Sequence, residues 1–276
     1  MRDQHYATFL GLHQAASPLL IANAWDAAST VLWQHAGAPA IGTSSAALAW
    51  ACGYADGGPL QAAALLHKVT EIVRVASVPV SIDMEDGYSD DAEDVAALVR
   101  QVAEAGAVGI NIEDGGAVPS LLVAKIKTIR RVLGDTPLFI NARTDVYLRG
   151  MASGAAAVTM TVERLQQYAA AGADGAFVPG ISNIDEITAV ASRCQLPLNV
   201  MTVPGLPPLA ALQTAGVRRV SAGPGVFQHA FNTGLTMVRQ FLGGNLAGGE
   251  GSNSQHPSLG YGEINALFAR PSAAVD

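Results

Sequence analysis

Short apolar runs recur along the chain, and the period of the hydrophobic positions changes between them. The runs read "PLLIAN" (18–23), "PAIGT" (39–43), "VPVSID" (78–83), "AVGINIED" (107–114), "PLFINAR" (137–143), "GAFVP" (175–179), "PLNVM" (197–201) and "RRVSA" (218–222). Each is too short for a helix and rich in β-branched or apolar residues, which predicts a buried strand. Between runs the period becomes helical. Over 91–105, Val95, Leu98, Val99, Val102 and Ala103 share one face; over 121–133, Leu122, Ile126, Ile129 and Leu133 do. "AGA" or "AGV" precedes several runs, at 36–38, 105–107, 171–173 and 215–217, where glycine closes the preceding helix.

Eight strands alternating with helices over roughly 220 residues is the arithmetic of an α/β fold of the (β/α)8, TIM-barrel type. The rival is a doubly wound sheet, which needs no eighth unit. It usually carries a glycine-rich first turn, and "IANAWDA" is not one. The barrel domain is predicted to span 1–242. Composition then shifts: "GGNLAGGEGSNSQHPSLGYG" reads as a flexible connector, and "EINALFAR" (263–270) as a short amphipathic helix beyond it. A helix that short is marginal alone, so the segment 243–276 is expected to dock on its own barrel or on a neighbouring subunit.

Composition narrows the partners. The chain has 276 residues, 50% hydrophobic and 14% charged, with a net charge of −7, which speaks against a broad nucleic-acid footprint. Cys52 and Cys194 form neither a disulfide framework nor a metal cluster. The N-terminal "MRDQHYATFLGLHQ" is polar, and no run is long enough to span a membrane, so a cytoplasmic protein without membrane contact is expected.

Active sites of such barrels lie at the C-terminal strand ends. Those ends carry Asn23, Trp25 and Asp26; Thr43, Ser44 and Ser45; Asp83 and Glu85; Glu113 and Asp114; Asn141 and Arg143; and Asn199, with strand bodies that otherwise read as apolar. Asp83, Glu85 and Glu113 fall on neighbouring strands about 4.8 Å apart, and three carboxylates at that range call for a divalent cation. All-oxygen ligation with retained waters suits Mg²⁺, with Mn²⁺ as a second choice. Asp90 and Asp91 are read instead as caps of the next helix. Arg143 is the one strong cation at this rim, either a two-pronged anion clamp or an internal ion pair to Asp145 or Glu113. "TSSAAL" (43–48) offers hydroxyls and successive N–H groups to an anion.

The ordered set "NAWD…TSSAALA…GYADG…DMEDGY…NIEDG…NARTD" resembles the isocitrate lyase and phosphoenolpyruvate mutase superfamily, over about residues 18 to 230. The resemblance implies a (β/α)8 barrel that binds Mg²⁺ and a 2-oxo acid or its enol, usually as a homotetramer that exchanges a C-terminal helix. It makes Asp83 the direct metal ligand, with Glu85, Glu113 and Asp56 holding metal-bound waters. Glu85 stands where the family commonly has Asp, and Ser45 where it often has Gly. Ser44, Ser45 and Ala46 would meet the substrate carboxylate, Arg143 would anchor the substrate or its leaving portion, and Asn199 would contact it from the seventh strand. Arg143 and Asp56 are the expected catalytic pair.

The resemblance also shows what is missing. Lyases of the family use a cysteine in a lysine-rich loop after the fourth strand, and mutases a lysine and an Asn-Ser pair. Here the region reads "EDGGAVPSLLVAKIK" (113–127), which enters a helix by about Ser120 and so carries Lys125 and Lys127 away from the site. Cys52 and Cys194 are read as packed cysteines, and the histidines, His229 included, lie away from the strand ends. A metal electron sink with a carboxylate clamp suits decarboxylation or carbon–carbon cleavage of an oxaloacetate-like 2-oxo acid through an enolate. Two alternatives stand: mutase or phosphonopyruvate hydrolase chemistry on a phosphorus–carbon bond, and a 2-oxo acid binding protein with little turnover.

Overall fold

All eight apolar runs form strands, which close in sequence order into a parallel barrel, β1-β2-β3-β4-β5-β6-β7-β8. They are β1 (Leu19–Ala24), β2 (Ile41–Thr43), β3 (Val80–Asp83), β4 (Gly109–Glu113), β5 (Phe139–Arg143), β6 (Gly175–Phe177), β7 (Leu198–Met201) and β8 (Val217–Ser221). The helices are α1 (Arg2–Gln14), α2 (Ala27–His35), α3 (Ser45–Ala51), α4 (Ala62–Val75), α5 (Ala92–Glu104), α6 (Pro119–Leu133), α7 (Gly154–Ala171), α8 (Ile184–Arg193), α9 (Leu209–Thr214), α10 (Gly225–Leu242) and α11 (Tyr261–Phe268). The computed structural model describes residues 2–57, 60–245 and 259–268. Among them, no helix is long and apolar enough to cross a membrane.

The helices form where the periodicity places them. Asp91 caps α5, accepting from the Glu93 N–H at 2.8 Å. Its apolar face, Val95, Leu98, Val99, Val102 and Ala103, is buried, as are Leu122, Ile126, Ile129 and Leu133 of α6. Each such side chain contributes about 1.5–3 kcal/mol by leaving water. At the N-terminal end of the barrel, Phe9 of α1 plugs the floor, edge-on to Phe139 at 5.5 Å, while His13 stacks on the same ring at 4.2 Å. Gly109 makes the plug possible, since a Cβ there would lie 2.8 Å from the Phe9 ring. The first residues of the chain therefore seal the end opposite the strand termini.

The expectation of apolar strand bodies is corrected inside the barrel. Asn23, Ser81, Asn111, Asn141, Asn199, Arg219 and Ser221 are all buried. Barrel strands alternate between positions facing the helices and positions facing the axis. The helix-facing half makes the runs read as apolar, while the axis-facing half carries a hydrogen-bonded polar layer. Within it the Asn141 Nδ2 donates to Asn111 Oδ1 at 2.9 Å, and the Ser221 Oγ to Asn199 Oδ1 at 3.1 Å.

The last helix begins two residues earlier than predicted and lies against α2 of its own barrel. Most of the predicted connector, 246–258, lies outside the described residues.

Candidate active site

Asp83 closes β3 and is held at two points. Its N–H donates to Thr43 Oγ1 at 2.8 Å, and its Oδ2 accepts from the Ser45 N–H at 3.0 Å. Its Oδ1 is buried with no hydrogen-bond partner. Asp83 pairs in register with Asn111, so Glu113 stands two residues further along the neighbouring strand. Glu85 lies just beyond Asp83, in a turn that the chain does not adopt freely. Glu85 and Tyr88 both have positive φ, 49° and 61°, at a cost of order 1–3 kcal/mol each. The turn is pinned by the Glu113 N–H donating to the Glu85 carbonyl at 2.9 Å and by the Lys125 Nζ donating to the Asp86 carbonyl at 2.8 Å. Gly87, at φ 96°, has no room for a side chain, since a Cβ would sit 2.7 Å from a Val95 methyl.

The acids perturb one another. Burial, then the charges of Asp83, Asp56 and Asp86, push the Glu85 carboxyl up to about 7. Burial raises Glu113 too, outweighing the attraction of Arg143, with Asp145, Asp83 and Glu85 adding repulsion. Asp56, on an exposed turn, is raised by partial desolvation and by Asp83. Upward shifts in adjacent carboxyls mark a site short of positive charge.

Arg143 does not supply enough of it. Its Nε and Nη2 fork onto Asp145 at 2.6 and 3.0 Å, and its Nη1 lies 2.5 Å from Glu113 Oε2. Both internal ion pairs that the sequence allowed are therefore made, and Glu113 and Asp145 raise its pKa although burial opposes it. The guanidinium also lies over the Phe177 ring, 5.8 Å from its centroid.

Ser44 caps α3, its Oγ accepting from the Ala47 N–H at 3.4 Å, and Ser45 and Ala46 open the helix, buried at the same rim. Because the Ser45 N–H is held by Asp83, the uncommitted groups of this stretch are the Ser45 hydroxyl and the Ala46 N–H. Asn199 is fully buried one layer below the rim, its Nδ2 without a partner. The structure thus gathers Ser44, Ser45, Ala46, Asp83, Glu85, Glu113 and Arg143 at one end of the barrel, with Asp56 on the rim and Asn199 beneath.

Arg143 is not the one cation there. Arg149 reaches Asp145 at 3.3 Å, and Arg164 pairs with Asp114 at 2.7 Å, where the Tyr168 hydroxyl also donates. Asp114 is thereby a fixture of the wall rather than a free rim acid. Lys125 is corrected as well: it turns inward, and its position shows why, since it falls on the same helical face as Leu122, Ile126 and Ile129. Lys125, Tyr88 and Arg149 line a cavity of about 510 Å³ on the outer flank of Glu85 and Glu113. Lys127 is exposed. Cys52 and Cys194 are half-buried helix C-caps, and His229 is exposed on α10.

Among the described residues, no group of three or more His, Cys, Asp or Glu side chains is placed to hold a metal ion by itself. The donors at the rim are all oxygens; Asp83 Oδ1 is buried without a partner, and the buried Glu85 carboxyl is faced by the Tyr88 hydroxyl. Such a set fits a hard cation that keeps most of its own waters, and does not fit zinc.

Residues 9–242 match the family model described as phosphoenolpyruvate phosphomutase. The chain belongs to that family. It is 37% identical over 229 residues to the uncharacterized protein Rv1998c of Mycobacterium tuberculosis (strain ATCC 25618 / H37Rv), covering 78% of this chain and 81% of that one. It is 29% identical over 215 residues to an oxaloacetate decarboxylase of Bradyrhizobium sp. (strain ORS 278), covering 72% of this chain and 70% of the other. Among solved structures, a "putative phosphonomutase" from Burkholderia cenocepacia J2315 superposes with a TM-score of 0.82 at 36% identity, covering 87% of this chain and 99% of that one. The chain is an enzyme of the phosphoenolpyruvate mutase/isocitrate lyase superfamily.

Proposed function

We propose that this enzyme is a Mg²⁺-dependent lyase that decarboxylates or cleaves a small 2-oxo acid of the oxaloacetate type, with Mn²⁺ as a substitute cation. The observation that carries the reading is the acid cluster, with Asp83 Oδ1 sealed from water and unpartnered and Glu85 faced by the Tyr88 hydroxyl, beside an arginine already engaged by Glu113 and Asp145. A cluster of that kind is balanced by a divalent cation. Asp83 would hold it directly, and Glu85, Glu113 and Asp56 through its waters. When bound, the cation supplies a Lewis acid for the negative charge that develops on the substrate's 2-oxo group.

The chain's own residues do the rest. The Ser44 and Ser45 hydroxyls and the Ala46 N–H orient the C1 carboxylate. Arg143, locked by Asp145, presents a fixed positive charge towards the distal carboxylate, and an arginine so preorganised does not reorganise as the reaction proceeds. The unpartnered Asn199 Nδ2 is a further donor from below. Breaking the C3–C4 bond releases CO₂ and leaves its electron pair in the enolate of pyruvate. That step requires no base on the protein, and a proton returned to C3 completes it. The step needs no protein nucleophile, and the oxaloacetate decarboxylase relative supports the reading. The phosphonomutase-titled relative keeps phosphorus–carbon chemistry as the second reading.

The two are separated by following pyruvate release from oxaloacetate, formation of pyruvate or phosphoenolpyruvate from phosphonopyruvate, and glyoxylate release from isocitrate, in Mg²⁺. Oxaloacetate turnover well above the rate of Mg²⁺ alone supports the first reading, and phosphonopyruvate turnover the second. Binding of 2-oxo acids without turnover of any substrate would favour a binding protein.

A further inference from the structure

Arg219 of β8 is the largest of the fully buried side chains, 1% exposed. Among the described residues it makes no ion pair. Its Nη2 donates to Asn111 Oδ1 at 3.3 Å, while Nε and Nη1 have no hydrogen-bond partner. A guanidinium buried in this way is costly unless an opposite charge stands near it. Below it lies His13, whose Nδ1 donates to the Phe9 carbonyl at 2.8 Å, and whose pKa is lowered to about 3 by burial and by the Arg219 charge, so the ring is neutral. Asp83 is the acid whose charge acts on Arg219.

The geometry ties the two together. Asn111, which receives the Arg219 Nη2, is the register partner of Asp83, and its carbonyl accepts the N–H of Met84, the next residue after Asp83, at 3.0 Å. The Asn141 Nδ2 fixes the same Asn111 oxygen from the other side. Among the described residues Asp83 makes no ion pair; Arg143, on which its charge also acts, is paired with Glu113 and Asp145. A buried cation with two open donors and a buried carboxylate with one open acceptor therefore share the axis-facing layer.

We propose that Arg219 is the resident counter-charge and positioning residue of Asp83, holding that carboxylate from beneath at the barrel mouth. Its bearing on catalysis rests on the cation site proposed above; its existence does not.

The test is metal-free. In EDTA, urea unfolding is compared for the parent chain, Arg219→Met, Asp83→Asn and the double variant. A counter-charge pair is non-additive: the double variant should lose clearly less in urea midpoint than the sum of the two single losses. Losses that simply add would reduce Arg219 to a space-filler and overturn the proposal. Should Arg219→Met not fold, the NMR signal of the Arg219 Nε–Hε group is followed instead, in the parent chain, Asp83→Asn and Glu85→Gln. The proposal expects a shift and faster hydrogen exchange in Asp83→Asn and little change in Glu85→Gln. An unchanged signal in Asp83→Asn would overturn it. Loss of Mg²⁺ binding in the parent chain would sink the cation site and leave this result standing.

Discussion

At the scale of single residues, the acids at the barrel mouth are kept apart from water and from enough positive charge, and that sets a pH dependence. A carboxyl raised in the folded state binds its proton more tightly there than in the unfolded chain. The stability it contributes is complete below the ordinary glutamate range and is lost as pH rises through the raised value. For Glu85 that value is about 7, and Glu113 moves the same way. The metal-free enzyme should therefore melt at progressively lower temperature as pH is raised from 5 to above 8, and Glu85→Gln should flatten that decline. Thermal melts in EDTA across this range check it, and an unchanged slope in Glu85→Gln would remove Glu85 as its source. The acids were legible in the sequence because each ends or follows an apolar run. Arg219 was not: "RRVSA" shows two adjacent arginines, and only the register of β8 says that Arg219 faces the axis while Arg218 is half-exposed. Arg143 was legible as either an anion clamp or an internal ion pair, and only the structure shows that it pairs with both Glu113 and Asp145.

At the scale of elements, the strands follow from short apolar runs and the helices α5 and α6 from a period of 3.6, because the buried positions exclude water consistently along each segment. The turn after β3 does not follow from period. It depends on a long-range staple, Lys125 Nζ to the Asp86 carbonyl, between residues 39 apart in the chain. Lys125→Met keeps most of the packing volume, removes the donor and leaves the Asp86 carbonyl without that partner. Such a loss is expected to cost about 1–3 kcal/mol, measured as a urea-unfolding difference from the parent chain. Since the staple sits under Glu85, Mg²⁺ should also bind more weakly in this variant by calorimetry. Stability equal to the parent's would mean that the turn is held by its own backbone bonds.

At the scale of the whole molecule, the barrel buries its floor under α1, and among the described residues one face of α10 is uncovered. Phe231, Leu235, Val238, Phe241 and Leu242 are exposed there, with Phe231 stacked on Phe227 at 4.0 Å. A contiguous apolar face of this kind marks an association surface, and we propose that it joins copies of the chain into the tetramer expected from the sequence. Phe231→Glu should shift the mass found by light scattering to a smaller species; a parent chain that is already monomeric at micromolar concentration would contradict the proposal.

Asp83 is the centre of the proposed cation-dependent lyase site. The most direct test is the initial rate of pyruvate release from oxaloacetate, with Mg²⁺ and with EDTA, in the parent chain and in Asp83→Ala. The prediction is turnover that requires Mg²⁺ and falls at least about 100-fold in a folded Asp83→Ala, the scale of a lost electrostatic stabiliser. Turnover that persists in Asp83→Ala, or in EDTA, would contradict it.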